Sequence, residues 1–295
     1  MKELVVLSGK GGTGKTSISA SLAALLESVT LADCDVDASD LHLVLGAEIR
    51  SKEPFISGNL AEVDPEKCTA CGLCETLCRF DAITLSPKAG GKALVKATGC
   101  EGCKVCVRFC PEQAIQFLPR LCGESFVSKT RLGMMCHARL LAGAENSGKL
   151  VSLVRKKARE TAERQGSEWL IVDGSPGIAC PVIASITGAD AVLMVTEPSL
   201  SAVHDLDRVA ELCRHFKLRA FCLINRCDIN PAISDALEEK MKTAGVEVIG
   251  RIPFDPEFTR AQVQGLSLAE SRPQSESIVN IRSALDRLKS LLWNE

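Results

Sequence analysis

The chain has 295 residues, 46% apolar and 24% charged, with a net charge of −2. A chain of that length can bury a core without disulfides, and its near-neutral balance argues against a protein that grips nucleic acid through bulk positive charge. Fifteen cysteines are the outlier. The start, Met1-Lys2-Glu3, leads into a strand-like run rather than a signal-peptide pattern, and no apolar stretch approaches the ~18 residues of a membrane span. A reducing cytoplasm is therefore expected, with metal rather than disulfides as the use of the cysteines.

In chain order, Leu4–Leu7 predicts a first strand and Lys15–Glu27 a helix with Ile18, Leu22, Leu25 and Leu26 on one face. Val29–Ala32 predicts a second strand. From Ala61 to Pro119 the βα rhythm stops and an internal repeat takes over: Cys68, Cys71, Cys74 and Cys78 are matched 32 residues later by Cys100, Cys103, Cys106 and Cys110. Two copies of one short unit predict a domain over residues 61–119, inserted in a larger one over residues 1–60 and 120–295. Around 135–139 the chain is expected to bridge back to that larger domain, and Glu145–Lys149 to form a turn and N-cap before a helix over Leu150–Arg164. Strands follow at Trp169–Val172, Ala191–Val195, Ala220–Ile224 and Val246–Ile249, separated by helices over Pro181–Thr187, Ser201–Phe216 and Pro231–Thr243. Continuous apolar strands alternating with helices predict an α/β fold, a mostly parallel sheet covered by helices on both faces. At the C-terminal end Ile278, Ile281, Leu285, Leu288 and Leu292 share a helical face, while Glu276, Asp286 and Glu295 dilute its basic side. Docking on the chain's own sheet, rather than on a membrane, is the expectation. His137 and His204 stand alone and are read as structural.

The first strand runs into Gly9-Lys10-Gly11-Gly12-Thr13-Gly14-Lys15-Thr16-Ser17, where a helix begins. Strand, G-x-x-x-x-G-K-[ST] and helix in succession form a P-loop: glycines let backbone N–H groups wrap the phosphates, and the helix N-terminus adds positive potential. Lys15 is expected on the β- and γ-phosphates of ATP, and the Thr16 hydroxyl on Mg²⁺.

The segment Lys10-Gly11-Gly12-Thr13-Gly14-Lys15-Thr16 resembles the deviant P-loop of the MinD/Mrp superfamily, which includes the nitrogenase iron protein. The likeness extends over the chain outside the insert. It implies a homodimer, or a related heterodimer, formed on ATP, with Lys10 reaching the partner's nucleotide. By the same resemblance Asp35 orients the attacking water, with Asp37 as its rival, and Asp173 holds Mg²⁺ through water. Gly177 senses the γ-phosphate, Asn225 contacts adenine, and Asp255 lies in a second base-side loop or serves as a turn acid.

Each cysteine run reads C-x₂-C-x₂-C-x₃-C, the spacing of bacterial ferredoxins with two [4Fe–4S] clusters, in which the fourth cysteine serves the other cluster. Cys68, Cys71, Cys74 and Cys110 are thus expected on one cluster, and Cys100, Cys103, Cys106 and Cys78 on the second. Pro111 follows the second run, but Arg79 stands at the matching place in the first, which puts the local turn in question. Zinc is the competing metal, but its knuckles use paired C-x₂-C units. Seven cysteines remain: Cys34, Cys122, Cys136, Cys180, Cys213, Cys222 and Cys227. Core packing is their ordinary reading. The nitrogenase iron protein has a cysteine holding a subunit-bridging cluster near the position of Cys180, so a third cluster, shared through Cys180 with Cys136 or Cys122, is the other. The combined expectation is an ATPase with nucleotide-gated electron transfer to an unidentified redox partner. An iron–sulfur carrier or assembly factor and a spatial-positioning ATPase are the alternatives.

Overall fold

A computed structural model describes residues 1–87 and 90–293; Glu295 lies outside them. The strands are β1 (Lys2–Leu7), β2 (Val29–Asp33), β3 (Glu48–Val63), β4 (Ile83–Leu85), β5 (Ala93–Val95), β6 (Ile115–Lys129), β7 (Met134–Leu140), β8 (Trp169–Asp173), β9 (Ala191–Thr196), β10 (Arg219–Asn225) and β11 (Glu247–Ile252). The chain divides into two compact units, one comprising residues 1–53, 125–139 and 147–295, the other residues 54–124 and 140–146.

In the first unit, β2, β8, β1, β9, β10 and β11 pair in parallel, and β7 joins β2 in the same sense with Asp33 opposite His137. Among the described residues the sheet order is β11-β10-β9-β1-β8-β2-β7-β6-β3. Strands β2, β8 and β9 are buried along their whole length because helices cover both faces. The helix Glu276–Trp293 sinks Ile278, Ile281, Leu285, Leu288 and Leu292 into the core with Ile249 and Ile252 of β11. Gly250 lets it lie close, since a Cβ there would stand 3.1 Å from that of Ala284.

The predicted strands and helices of this unit recur with shifted ends. The first helix spans Lys15–Ala24 and stops short of Glu27, because Leu25 and Leu26 bond back to Leu22 and Ala23 and turn the chain into β2. The helix expected from Leu150 starts at Ser147, behind Asn146 at φ 70°. Strands β3, β6 and β7 were not foreseen as members of the sheet. β3 closes its edge and is exposed from Glu48 to Pro54, so it shows neither alternation nor an apolar run.

The second unit takes in the predicted insert at 61–119 and adds flanks from β3, β6 and the segment 140–146. Its repeat is written in the backbone. Helices Leu73–Leu77 and Val105–Phe109 are each preceded by a left-handed residue, Gly72 (φ 77°) and Lys104 (φ 67°). Ala70 (φ 60°) pairs in the same way with Gly102 (φ 59°), and Asp81 (φ 50°) with Gln113 (φ 49°). Such conformations cost a non-glycine residue energy, so their recurrence marks a constrained path. Arg79 does not disturb its turn: Asp81 N–H bonds Cys78 O at 3.3 Å, as Gln113 N–H bonds Cys110 O at 3.2 Å behind Pro111. Ala61, Ile83, Ala93, Cys106 and Ile115 form the small core, and β4 and β5 pair as a hairpin.

Candidate functional site

The loop Gly9–Gly14 leaves β1 and ends at Gly14, whose φ of 93° turns it into the helix Lys15–Ala24. A Cβ on Gly14 would lie 2.4 Å from Asn225 Nδ2, and one on Gly9 2.6 Å from Asp205 Cβ, so both glycines are required by their surroundings. Asn225 Nδ2 donates to Thr13 O at 2.8 Å, and Gln262 Nε2 to Ser17 Oγ at 2.7 Å. Asn225, expected on adenine, here braces the loop from beneath and is 5% exposed.

Parallel pairing sets Val6 of β1 opposite Asp173 of β8 and brings the phosphate loop and the second acid together. Lys15 Nζ lies 2.8 Å from Asp173 Oδ1 and 3.9 Å from Asp35 Oδ2. Thr16 Oγ1 donates to Asp173 Oδ2 at 2.7 Å, and Ser19 Oγ to Oδ1 at 2.9 Å. Burial alone would lower the pKa of Lys15, but Asp173, Asp33 and Asp35 outweigh it and hold it above the usual value. The two residues predicted for Mg²⁺, Thr16 and Asp173, are therefore already in contact, and their oxygens are the hard donors that ion takes.

Asp33 was not singled out from the sequence, yet it organises this region. It is fully buried at the end of β2, and its carboxylate accepts from Asp35 N at 3.0 Å, Ser39 Oγ at 2.7 Å and Leu41 N at 3.1 Å. Burial first, then the charge of Asp173, push its pKa up to about 7. Burial also raises Asp35. Nothing local in the sequence separates Asp33 from its neighbours, because its burial depends on β7 and β8 closing over the strand end.

Lys10, expected to reach a partner, folds back within this chain: Nζ pairs with Glu197 Oε1 at 2.8 Å and donates to Ser199 Oγ at 3.0 Å and Ser201 Oγ at 3.1 Å. Glu197 also meets Arg226 at 2.7 Å. Gly177 N–H donates to Ser8 O at 2.9 Å. Asp255 Oδ1 accepts from Glu257 N at 2.9 Å and so behaves as a turn acid ahead of the helix Glu257–Val263.

In the second unit the cysteines surround two cavities. One is lined by Cys68, Cys71, Cys74 and Cys110. The other is lined by Cys78, Cys100, Cys103 and Cys106. These are the two crossed sets expected from the spacing. Ala82 N–H and Ala114 N–H each point at a sulfur, Cys78 Sγ and Cys110 Sγ, at 3.3 Å. N–H groups of Ala93 and then Ala70 lower the pKa of Cys68, while burial pushes Cys106 up to about 11. Among the described residues no three His, Cys, Asp or Glu side chains converge on one metal ion. Four thiols around a hollow instead fit a multi-iron cluster, in which thiolates hold the body at separate corners.

The other cysteines divide by burial. Cys34, Cys122, Cys136, Cys213 and Cys222 are buried; Cys122 Sγ donates to Ser57 O at 3.1 Å, and Cys136 lies 3.8 Å from Thr161 Oγ1. Cys122 and Cys136, the partners expected for Cys180 in a subunit-bridging cluster, are thus closed in by packing. Cys180 is exposed at the first turn of its helix, which corrects the core-packing reading. His137 is structural: it stacks on Phe126 and His42 and meets Ser128 Oγ at 2.9 Å.

The pattern of the CobQ/CobB/MinD/ParA nucleotide binding domain matches residues 4–268. Uncharacterized protein MJ0578 of Methanocaldococcus jannaschii is 30% identical over 290 residues, which are 96% of each chain. The cytosolic Fe-S cluster assembly factor NUBP2 of Bos taurus is 27% identical over 138 residues, 42% of this chain and 51% of that one. The septum site-determining protein MinD of Pyrococcus horikoshii, solved with Mg-ADP, superposes with a TM-score of 0.62 at 16% identity, over 99% of this chain and 98% of that one. That likeness is one of fold.

Proposed function

The chain belongs to the CobQ/CobB/MinD/ParA nucleotide-binding family, and on that premise we propose that it is an ATP-hydrolysing iron–sulfur protein whose electron exchange with a partner protein is gated by nucleotide. The observation that carries the iron–sulfur half is the pair of cavities, each lined by three cysteines of one run and the fourth of the other. Cys68, Cys71, Cys74 and Cys110 would hold one [4Fe–4S] cluster, and Cys100, Cys103, Cys106 and Cys78 the second. Such clusters supply one-electron storage.

On the nucleotide side, backbone N–H groups from Gly9 to Thr16 cradle the phosphates of ATP. Lys15 neutralises the β- and γ-phosphates, and Thr16 and Asp173 offer oxygens to Mg²⁺. Asp35, 3.9 Å from Lys15 Nζ, orients the attacking water. Asp33 holds the Asp35 segment by its backbone. Release of Lys10 from Glu197 would free it for the nucleotide of a second copy, making an ATP-dependent dimer.

Anaerobic purification followed by iron and sulfide analysis tests the clusters: about eight irons per chain are expected, and about ten would add a cluster shared at Cys180. Measuring the ATPase rate with the iron oxidised and then reduced tests the coupling. Equal rates would separate the two activities. The partial match to an Fe-S cluster assembly factor supports a second reading, a cluster carrier. Transfer of iron and sulfide to an apo-acceptor protein during turnover would favour it. The MinD likeness supports a positioning ATPase, which ATP-dependent liposome binding would bring forward.

A further inference from the structure

Each cysteine set has a cation placed on it by a different part of the chain. Lys92 Nζ, at the start of the β5 segment, donates to the carbonyl of Cys68. Arg120 Nη1, on β6, donates at 3.1 Å to the carbonyl of Cys100. Cys68 and Cys100 are the equivalent first cysteines of the two runs. The cations are not equivalent: Lys92 lies 24 residues beyond its cysteine and Arg120 lies 20 beyond. In the sequence Arg120 is the repeat counterpart of Lys88, each directly behind a proline, whereas the repeat position of Lys92 is held by Glu124, so the repeat does not place both cations in the same way. Two unrelated positions deliver one positive charge to one matching carbonyl.

We propose that Lys92 and Arg120 are potential-setting residues, each raising the reduction potential of the cluster held by the cysteine set it touches. The inference rests on the iron–sulfur reading above. Four thiolates around a small cavity concentrate negative charge, and adding an electron increases it. A fixed cation nearby favours the more reduced state by Coulomb attraction, which a half-buried site screens less than open water does.

The anchors differ in stiffness. Arg120 is clamped on two carbonyls, with Nη2 donating to Gly143 O at 2.9 Å as well. Lys92 is a point charge on a flexible stem. Loss of charge should therefore move one potential at a time, and replacement of one cation by the other should be tolerated less well at Arg120.

The test is a mediated redox titration of the anaerobic, iron-loaded full chain, followed by electron paramagnetic resonance. The two reduction steps are assigned with C68S and C100S. K92Q keeps a donor for Cys68 O but removes the charge; it should make the first set's potential more negative and leave the second where it was. R120Q should do the converse. K92R should keep the wild-type value. If neither step moves, or both move together in each variant, the proposal is wrong. Should K92Q lose iron, K92M takes its place. Loss of iron in both, with K92R loaded, would overturn the proposal in favour of a purely structural contact. Wild-type protein without iron and sulfide would instead sink the underlying reading.

Discussion

Thr16 and Asp173, 157 positions apart, meet through a hydrogen bond of 2.7 Å from Thr16 Oγ1 to Asp173 Oδ2. That contact joins the end of the phosphate loop to the end of β8, and with Lys15 it makes a compact unit of one cation and two hydroxyls around one carboxylate.

Lys15→Met should remove the charge that balances Asp173 and Asp33. Asp173 is buried, at 1% exposure, so loss of its cation leaves an uncompensated buried charge. A loss of about 3 kcal/mol in stability at neutral pH is expected, since breaking a buried pair from one side costs roughly that much or more. Urea denaturation measures it. ATP binding, read by fluorescence of a labelled analogue, should be lost in the same variant.

Two buried groups should tilt the pH profile of stability in opposite directions. Asp33 keeps its proton in the fold up to about pH 7 but loses it near 3.8 when unfolded, so its contribution is lost as pH rises between those values. His137, buried and lowered to about 4 by desolvation and then by His42, takes a proton at 6.5 only when unfolded, so stability is lost as pH falls through that range. Asp33→Asn should leave a profile that rises with pH between 4 and 7. His137→Phe should leave one that falls. Thermal melts across that range would show a mistaken assignment if the two variants kept parallel profiles.

Cysteine variants should sort by cavity and not by run. C110S should behave like C68S, and C78S like C100S, each pair losing the same spectral signal and about half of the iron. If C78S grouped with C68S instead, each run would serve its own cluster and the crossed arrangement would be wrong.

Lys10→Ala should leave the phosphate cradle standing, because Lys15, Thr16 and Asp173 do not touch Lys10 in their contacts. Binding of ATP should change little, while hydrolysis should fall about a hundredfold, as removal of one transition-state donor does. Light scattering with ATP should show monomer for this variant and, on the proposed mechanism, a dimer for the wild-type protein. A Lys10→Ala chain that still dimerised and hydrolysed at the normal rate would remove Lys10 from the mechanism.

The phosphate loop and both cysteine runs were legible in the linear chain because their chemistry is local: a few glycines, a lysine and four thiols at fixed spacing need only a short stretch of backbone. The parallel sheet was legible where strands are buried on both sides, as in β8 and β9. It was not legible in β3, whose exposed half carries Arg50, Lys52 and Glu53 and pairs as an edge. Only the tertiary structure decided that Asp33 is the sealed carboxylate and that Cys180 is exposed while Cys122 and Cys136 are not. It alone placed Lys10 on Glu197, and Lys92 and Arg120 on the first cysteines. Burial and ion pairing belong to neighbours brought from far along the chain, and spacing within a segment carries no information about them.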